Sequence, residues 1–149
     1  RMMAYDFIKE NAIDYTSFYY DEKVIDNRNI YKATYEGMHE ALNKLLVKPD
    51  HILVDGTYFP IYTSNDIIIP YTCIEGGDNK YLSIAAASII AKVERDKYIK
   101  ELCKLDPELD EKYGLLSNKG YGTSKHIEGI KKHGITPMHR KTFGICKNY

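Results

Sequence analysis

The stretch HILVDG, residues 51–56, decides how this chain is read. Ile52, Leu53 and Val54 form a short apolar run that stops abruptly at Asp55-Gly56. A run of that length, closed by turn residues, predicts a buried strand. A carboxylate at the C-terminal end of such a strand stands where open α/β sheets gather their ligands. An ordinary Asp-Gly turn accounts for the same two residues, and taken alone it is the simpler account.

A second segment repeats the pattern. NDIIIPYTCIEGGDNK, residues 65–80, is apolar and β-branched before it runs into Gly76-Gly77-Asp78. Two such strands lying side by side would bring Asp55 and Asp78 to one edge of a sheet. Oxygen-only donors of this kind suit Mg²⁺ or Mn²⁺ rather than zinc. Two-metal phosphodiester chemistry normally calls for more than two acids.

Helical patterns surround these strands. Residues 4–13, AYDFIKENAI, have short helical character, whereas DYTSFYY, 14–20, has the aromatic and Thr content of a strand. DNRN, 26–29, offers N-caps to a helix in which Tyr31, Thr34, Met38, Leu42 and Leu45 make one apolar stripe. Lys48-Pro49-Asp50 stops it. The longest predicted helix covers SIAAASIIAKVERDKYIKELCK, 83–104, with Ser83 as its cap. Its first half is apolar and Ala-rich for packing on a sheet, and its charged second half is expected to emerge into solvent. Asp96, in that half, reads as a surface ion-pair partner. The predicted fold class is α/β with mixed strand pairing, in one domain of 149 residues.

Composition narrows the function classes. No run approaches the roughly 18 apolar residues that span a bilayer, and the N-terminus RMMAYDFIKE has no secretory h-region. Cys73, Cys103 and Cys146 are scattered without CxxC spacing, which argues against a disulfide framework and for a reducing, cytoplasmic setting. GxSxG, HExxH, Walker A and GxGxxG motifs are absent, and the five histidines lack metal-ligand spacing. From Ser117 onward there are seven Lys/Arg against the single Glu128, a net +6, which leaves −6 for residues 1–116. A basic tail beside an acidic body suits a polyanion near a cation site, and a merely solvated face has the same composition.

KGYGTSKH, residues 119–126, sits in that basic tail. Glycines on both sides of Tyr121 present the ring on a loop among Lys119, Lys125 and His126. Thr123 or Ser124 caps the helix that follows, Ile127 and Ile130 anchor it, and Gly134 ends it. His126 reads as a helix-start residue rather than an acid or base.

Taken together, ILVDG (52–56), GGDNKYLSIAAASIIAKVERD (76–96) and NKGYGTSKHIEGIKKHGITPMHRKTF (118–143) resemble the type 2 ribonucleases H, specifically bacterial ribonuclease HII. IDNRNIYKATYEGMHEAL, 25–42, looks like the family's segment ahead of its third catalytic acid. The resemblance implies a ribonuclease H-like mixed sheet flanked by helices, with extra C-terminal helices. It also implies four carboxylates binding two metal ions, Mg²⁺ or Mn²⁺, of which Asp55 matches the third and Asp78 the fourth. The aspartate at 78 leans toward ribonuclease HII and away from ribonuclease HIII, which usually has glutamate there. Tyr121 matches the tyrosine that stacks at the ribonucleotide–deoxyribonucleotide junction. Lys119, Lys125 and Arg140 are phosphate-contact candidates, because Lys and Arg dominate affinity for the backbone. Lys80 is a weaker candidate near the metals.

The departures are as informative. The family's adjacent Asp-Glu pair on its first strand, and the Gly-Arg-Gly that follows it, have no counterpart; Asp21-Glu22 sits in the wrong register. The chain, starting at Arg1, therefore reads as the C-terminal two-thirds of the family domain with its N-terminal strands missing. Gly76 stands where many members have lysine. The implied activity is metal-dependent cleavage of the RNA strand in RNA–DNA hybrids, including single ribonucleotides in duplex DNA. With two of the four acids absent, this chain is expected to be inactive. Its expected partners are such duplexes and no membrane. The intact protein is expected to be a monomer, and the shortened chain is prone to self-association through open sheet edges. The alternative is a non-catalytic nucleic-acid-binding module or a truncated remnant.

Overall fold

The computed structural model describes all residues 1–149 and shows two compact units, Arg1–Tyr20 with Tyr31–Val93, and Asp21–Ile30 with Glu94–Tyr149. The secondary structure is mixed α/β, as the sequence predicts. Helices α1 (Met2–Asn11), α2 (Glu22–Arg28) and α3 (Ile30–Lys44) precede the strands. Four short strands follow: β1 (Ile52–Asp55), β2 (Tyr62–Ser64), β3 (Ile67–Ile69) and β4 (Tyr71–Ile74). The long α4 (Leu82–Leu105), then α5 (Glu108–Tyr113), α6 (Leu115–Asn118) and α7 (Ser124–His133), complete the chain with a 3₁₀ turn at Gly144–Asn148. No helix is long and apolar enough to cross a membrane.

Strand pairing in the first unit is mixed, as expected. β1 pairs parallel to β4 in a register that sets Ile52 beside Tyr71 and Asp55 beside Ile74. β2 and β3 form an antiparallel hairpin. Its two-residue loop, Asn65-Asp66, holds both residues at positive φ (50° and 63°), the conformation that matches the twist of paired strands and that Asn and Asp tolerate best. The predicted single segment 65–80 is thus two strands. Pro70 has no N–H for a ladder, and the chain changes partners there.

The core of this unit contains Ile52, Val54, Phe59 and Tyr62, with Tyr35, Leu42, Ile69 and Cys73 packed around them. Phe59 is 1% exposed, and burying such a side chain contributes roughly 1.5–3 kcal/mol. The inward face of α3 differs from the predicted stripe. Ala33 is buried while Tyr31 is 76% exposed. Tyr35 and His39 point inward beside Leu42 of the predicted stripe: the His39 ring meets Phe59 and Tyr62, and Tyr62 Oη donates to Oδ1 of the exposed Asn43 at 3.0 Å. Polar side chains fill part of the core face, so a count of apolar residues alone rotates the stripe.

Three more expectations are corrected. DYTSFYY is not a strand: Asp14 accepts the N–H groups of Leu46 and Val47, and Thr16 Oγ1 donates to the Ala41 carbonyl at 2.7 Å. The segment is tied to α3 by side chains, and Phe18 and Tyr20 lie over Gly37. Of DNRN only Asn29 stands directly ahead of α3, because Asp26 to Arg28 are helical in α2, whose cap is Asp21 accepting from Val24 N–H at 2.9 Å. Ser83 lies inside α4 rather than capping it.

The second unit has its own core of Ile99, Cys103, Leu109, Tyr113, Leu115, Ile130 and Cys146. The second half of α4 supplies its spine, contrary to the expectation that this half emerges into solvent. Ile99 and Cys103 lie one helical turn apart on one face, and the charged residues between them occupy the other. The C-terminal run is irregular, as predicted. All three cysteines are free thiols.

Candidate carboxylate edge and aromatic loop

In the first unit, β1 and β4 end together. Gly56 N–H donates to the Ile74 carbonyl at 3.1 Å, one step beyond the Asp55–Ile74 pair, and there both strands leave the sheet. β4 then turns through Gly76, at φ 62°, into a single 3₁₀ turn, Gly77–Asn79, ahead of α4. Gly77 is buried, and a Cβ there would stand 2.6 Å from Ile84 Cδ1, so the turn packs closely on α4. Gly77 N–H donates to Asp55 Oδ1 at 3.0 Å. That bond orients the Asp55 carboxylate toward the turn carrying Asp78, whose Oδ1 accepts from Asn79 Nδ2 at 3.2 Å.

Asp55 and Asp78 therefore share one strand-end edge, as their positions in the sequence lead one to expect. Both are exposed, and each has hydrogen-bonding capacity left over. The donors are oxygens only, the chemistry of a hard divalent cation. No third His, Cys, Asp or Glu side chain joins them as a metal-holding group. Lys80 does not reach into this edge; its Nζ donates to the Glu75 carbonyl at 2.8 Å.

In the second unit, α6 ends at Asn118, and the chain passes through Lys119 and Gly120 to Tyr121, which is 73% exposed. The backbone here is held on every side. Asn118, which is buried, donates to the Tyr113 carbonyl at 2.6 Å and accepts Gly120 N–H at 2.9 Å. Arg95 Nη2 donates to the Lys119 carbonyl at 2.9 Å, and Tyr121 N–H donates to the Asn118 carbonyl at 2.9 Å. Thr123 caps α7 by accepting His126 N–H, which selects it over Ser124 as the cap.

The basic candidates differ in how they are presented. Lys119 Nζ turns back onto the Leu116 carbonyl. Lys125 is exposed, with its stem lying over Gly114. Arg140 is partly buried, with its guanidinium 5.0 Å from the centre of the Phe143 ring. Burial, then the nearby Arg95 guanidinium, push Arg140 down from the usual arginine range, while Asp26 acts the other way. Two guanidinium groups in one neighbourhood concentrate positive potential on the loop's side of this unit.

Sequence reasoning missed Arg95, Asn118 and His139, and treated His126 only as a helix-start residue. His126 is buried at the start of α7, with Nδ1 3.0 Å from the Tyr121 carbonyl oxygen and Nε2 3.1 Å from His139 Nε2. The one available sign was chemical, three histidines (His126, His133 and His139) within the 22 residues 118–139. Asp26, 115 residues away in sequence, accepts Lys141 N–H at 2.8 Å and both the Thr142 N–H and hydroxyl. Burial works against it, but these bonds hold its carboxyl below the usual range.

Comparison with known proteins identifies the family. The family described as ribonuclease HII matches residues 3–146. The ribonuclease HII of Parabacteroides distasonis is 47% identical over 138 residues, 93% of this chain and 65% of that protein. The ribonuclease HII of Clostridioides difficile is 45% identical over 139 residues, covering 93% of this chain and 51% of its own length. For that of Bacillus cytotoxicus the figures are 45% over 148 residues, 99% and 53%. The chain thus spans between about half and two-thirds of the length of these relatives. A family match across residues 3–146, with relatives 45–47% identical over most of the chain, places the chain in the ribonuclease HII family.

Proposed function

We propose that this chain belongs to an endoribonuclease that cleaves the RNA strand of RNA–DNA hybrids, including single ribonucleotides embedded in duplex DNA. The observation that carries this reading is the shared end of β1 and β4, where Asp55 and the turn bearing Asp78 are joined by the Gly77–Asp55 hydrogen bond. In this reading Asp55 and Asp78 hold Mg²⁺ or Mn²⁺, which would supply the Lewis acidity for phosphodiester hydrolysis. Tyr121 stacks at the sugar junction, and Lys119, Lys125 and Arg140 are phosphate contacts, Lys125 being the most openly presented. Lys119 would have to leave the Leu116 carbonyl to take that part.

Two carboxylates are fewer than two-metal hydrolysis requires, so the 149 residues on their own are proposed to be inactive. With Mg²⁺ or Mn²⁺, this polypeptide is expected to leave a duplex containing one ribonucleotide uncut. Cleavage that disappears in Asp55→Asn would show that the acids present suffice. A chimera carrying the N-terminal part of the Parabacteroides distasonis relative ahead of this chain is expected to cut, and to stop cutting with Asp55→Asn or Asp78→Asn. Undiminished cutting with both acids replaced sinks their assignment.

One observation favours a second reading, a nucleic-acid-binding module without catalysis: Arg95, Asn118 and His126, all of the second unit, hold the backbone around Tyr121. Salt-dependent duplex binding that is unchanged when Asp55 and Asp78 are both Asn supports it, provided the chimera is also inactive.

A further inference from the structure

We infer that His126 and His139 are positioning residues which hold the Tyr121 loop through a directional chain of hydrogen bonds. The inference rests on the proposed role of Tyr121 as a contact to the nucleic acid. Its direction follows from the two ends of the chain. Thr136 N–H, which can only donate, reaches His139 Nδ1 at 3.0 Å, so that nitrogen is the bare one. His139 then carries its proton on Nε2, which faces His126 Nε2 at 3.1 Å. His126 Nε2 must accept, so its proton sits on Nδ1, 3.0 Å from the Tyr121 carbonyl oxygen, which can only accept. An amide at one end and a carbonyl at the other leave one arrangement: two neutral rings in opposite tautomers.

The surroundings keep the rings in place. His126 and His139 are 7% and 8% exposed. The Tyr113 ring packs edge-on against both, at 6.1 and 4.8 Å between centroids, and is itself tied to the Gly134 carbonyl. The Thr136 hydroxyl, 2.9 Å from His139 Nδ1, accepts Met138 N–H and steadies the donor end. At the other end, Tyr121 N–H donates to the Asn118 carbonyl, and the Tyr121 carbonyl accepts Thr123 N–H at 2.8 Å as well as His126 Nδ1–H, so the His126 ring adds a side-chain tie to a loop its own backbone has begun to order. The ring stays exposed while its backbone is fixed. A ligand that stacks on Tyr121 therefore meets a loop already ordered, and the ordering cost is removed from binding.

The test compares affinities of this chain for a DNA duplex carrying one ribonucleotide and for the matching all-DNA duplex. His126→Leu is expected to lower the preference for the ribonucleotide duplex about fivefold to tenfold, the loss of one ordered contact. His126→Asn, whose amide can still donate to the Tyr121 carbonyl, is expected to restore most of it. An unchanged preference in His126→Leu, where Tyr121→Ala loses it, overturns the positioning role and leaves the role of Tyr121 intact. An unchanged preference in Tyr121→Ala overturns the proposed role of Tyr121, and this inference with it. Should His126→Leu fail to fold, ¹⁵N imidazole spectra of the unsubstituted chain at neutral pH decide: Nδ1–H on His126 with Nε2–H on His139 supports the chain of bonds. The reverse tautomers, or an imidazolium at either site, overturn it.

Discussion

The carboxylate edge of the first unit and the aromatic loop of the second are built on opposite principles. At the edge, backbone does the placing: two parallel strands end in register, a left-handed glycine turns the chain, and one amide orients Asp55. The acids themselves remain exposed. Around Tyr121, side chains do the placing, since Asn118, Arg95 and His126 each take a backbone group of the loop. A site for small hard cations can have mobile ligands that close on arrival of the ion. A stacking platform gains from being ordered beforehand, because the cost of ordering it would otherwise be subtracted from binding.

The largest expected contrast concerns two glycines. A Cβ at Gly129, on α7, would stand 2.2 Å from the Lys112 carbonyl oxygen and 3.0 Å from Tyr113 Cδ1. Gly129→Ala should therefore cost about 3 kcal/mol, since backbone must move. At Gly77 the obstacle, 2.6 Å away, is the end of the flexible Ile84 side chain. Gly77→Ala should cost only about 1 kcal/mol. Urea denaturation of both variants checks the order; equal losses would erase the distinction between the two packings.

Binding gives the next contrast. In the absence of divalent metal, Tyr121→Ala should weaken duplex binding by about 1–3 kcal/mol, the range for one stacked base. The double replacement of Asp55 and Asp78 by Asn should leave binding equal or tighter, because it removes negative charge facing a polyanion. Fluorescence anisotropy reads both. Weaker binding in the Asn variant would mean that the edge contacts nucleic acid without metal.

The smallest effects are in pH dependence, and they distinguish two titrating groups of the second unit. Burial, then the facing His126 ring, push His139 below the ordinary histidine value. Its unfolded form thus binds a proton that its folded form refuses, so its contribution is present above the unfolded value near 6.5 and lost as pH falls through the folded one. His126 on α7, Tyr113 on α5, and Glu22, Lys23, Asp26, Lys141 and Tyr149 around the adjoining cavity complete its titratable surroundings. Asp26 also has a depressed folded value, so its contribution is present above about pH 4 and lost at more acid pH. Thermal melts against pH should therefore show a shallow loss just below 6.5 that His139→Gln removes, and a further loss below 4 that Asp26→Asn reduces, Asp14 and Glu108 being held low as well. One loss unaffected by either replacement would break the assignment.

Particular elements show why some of this was legible and some was not. β1 and its terminal Asp55 were readable because an apolar run and a breaker are adjacent in the chain. The helix after Thr123 was readable because its cap, anchors and closing glycine lie within 12 residues, 123–134. DYTSFYY looked like a strand by composition, but its hydrogen bonds go to a helix instead of to a neighbouring strand. The second half of α4 looked solvated because its charges outnumber its apolar residues, yet Ile99 and Cys103, flanked by Tyr98 and Leu102, place it in a core.

By itself, then, the sequence determined the fold class, the two acids that end apolar segments, the exposed tyrosine between glycines, and the family. Each of these is a local or motif-level property, set by adjacent residues and their backbone preferences. Only the tertiary structure decided that Gly77 orients Asp55, that Asp26 ties down residues 141 and 142, and that His139 reaches Tyr121 through His126. Hydrogen bonds between residues far apart in the chain depend on which faces meet, and no spacing in the sequence carries that information.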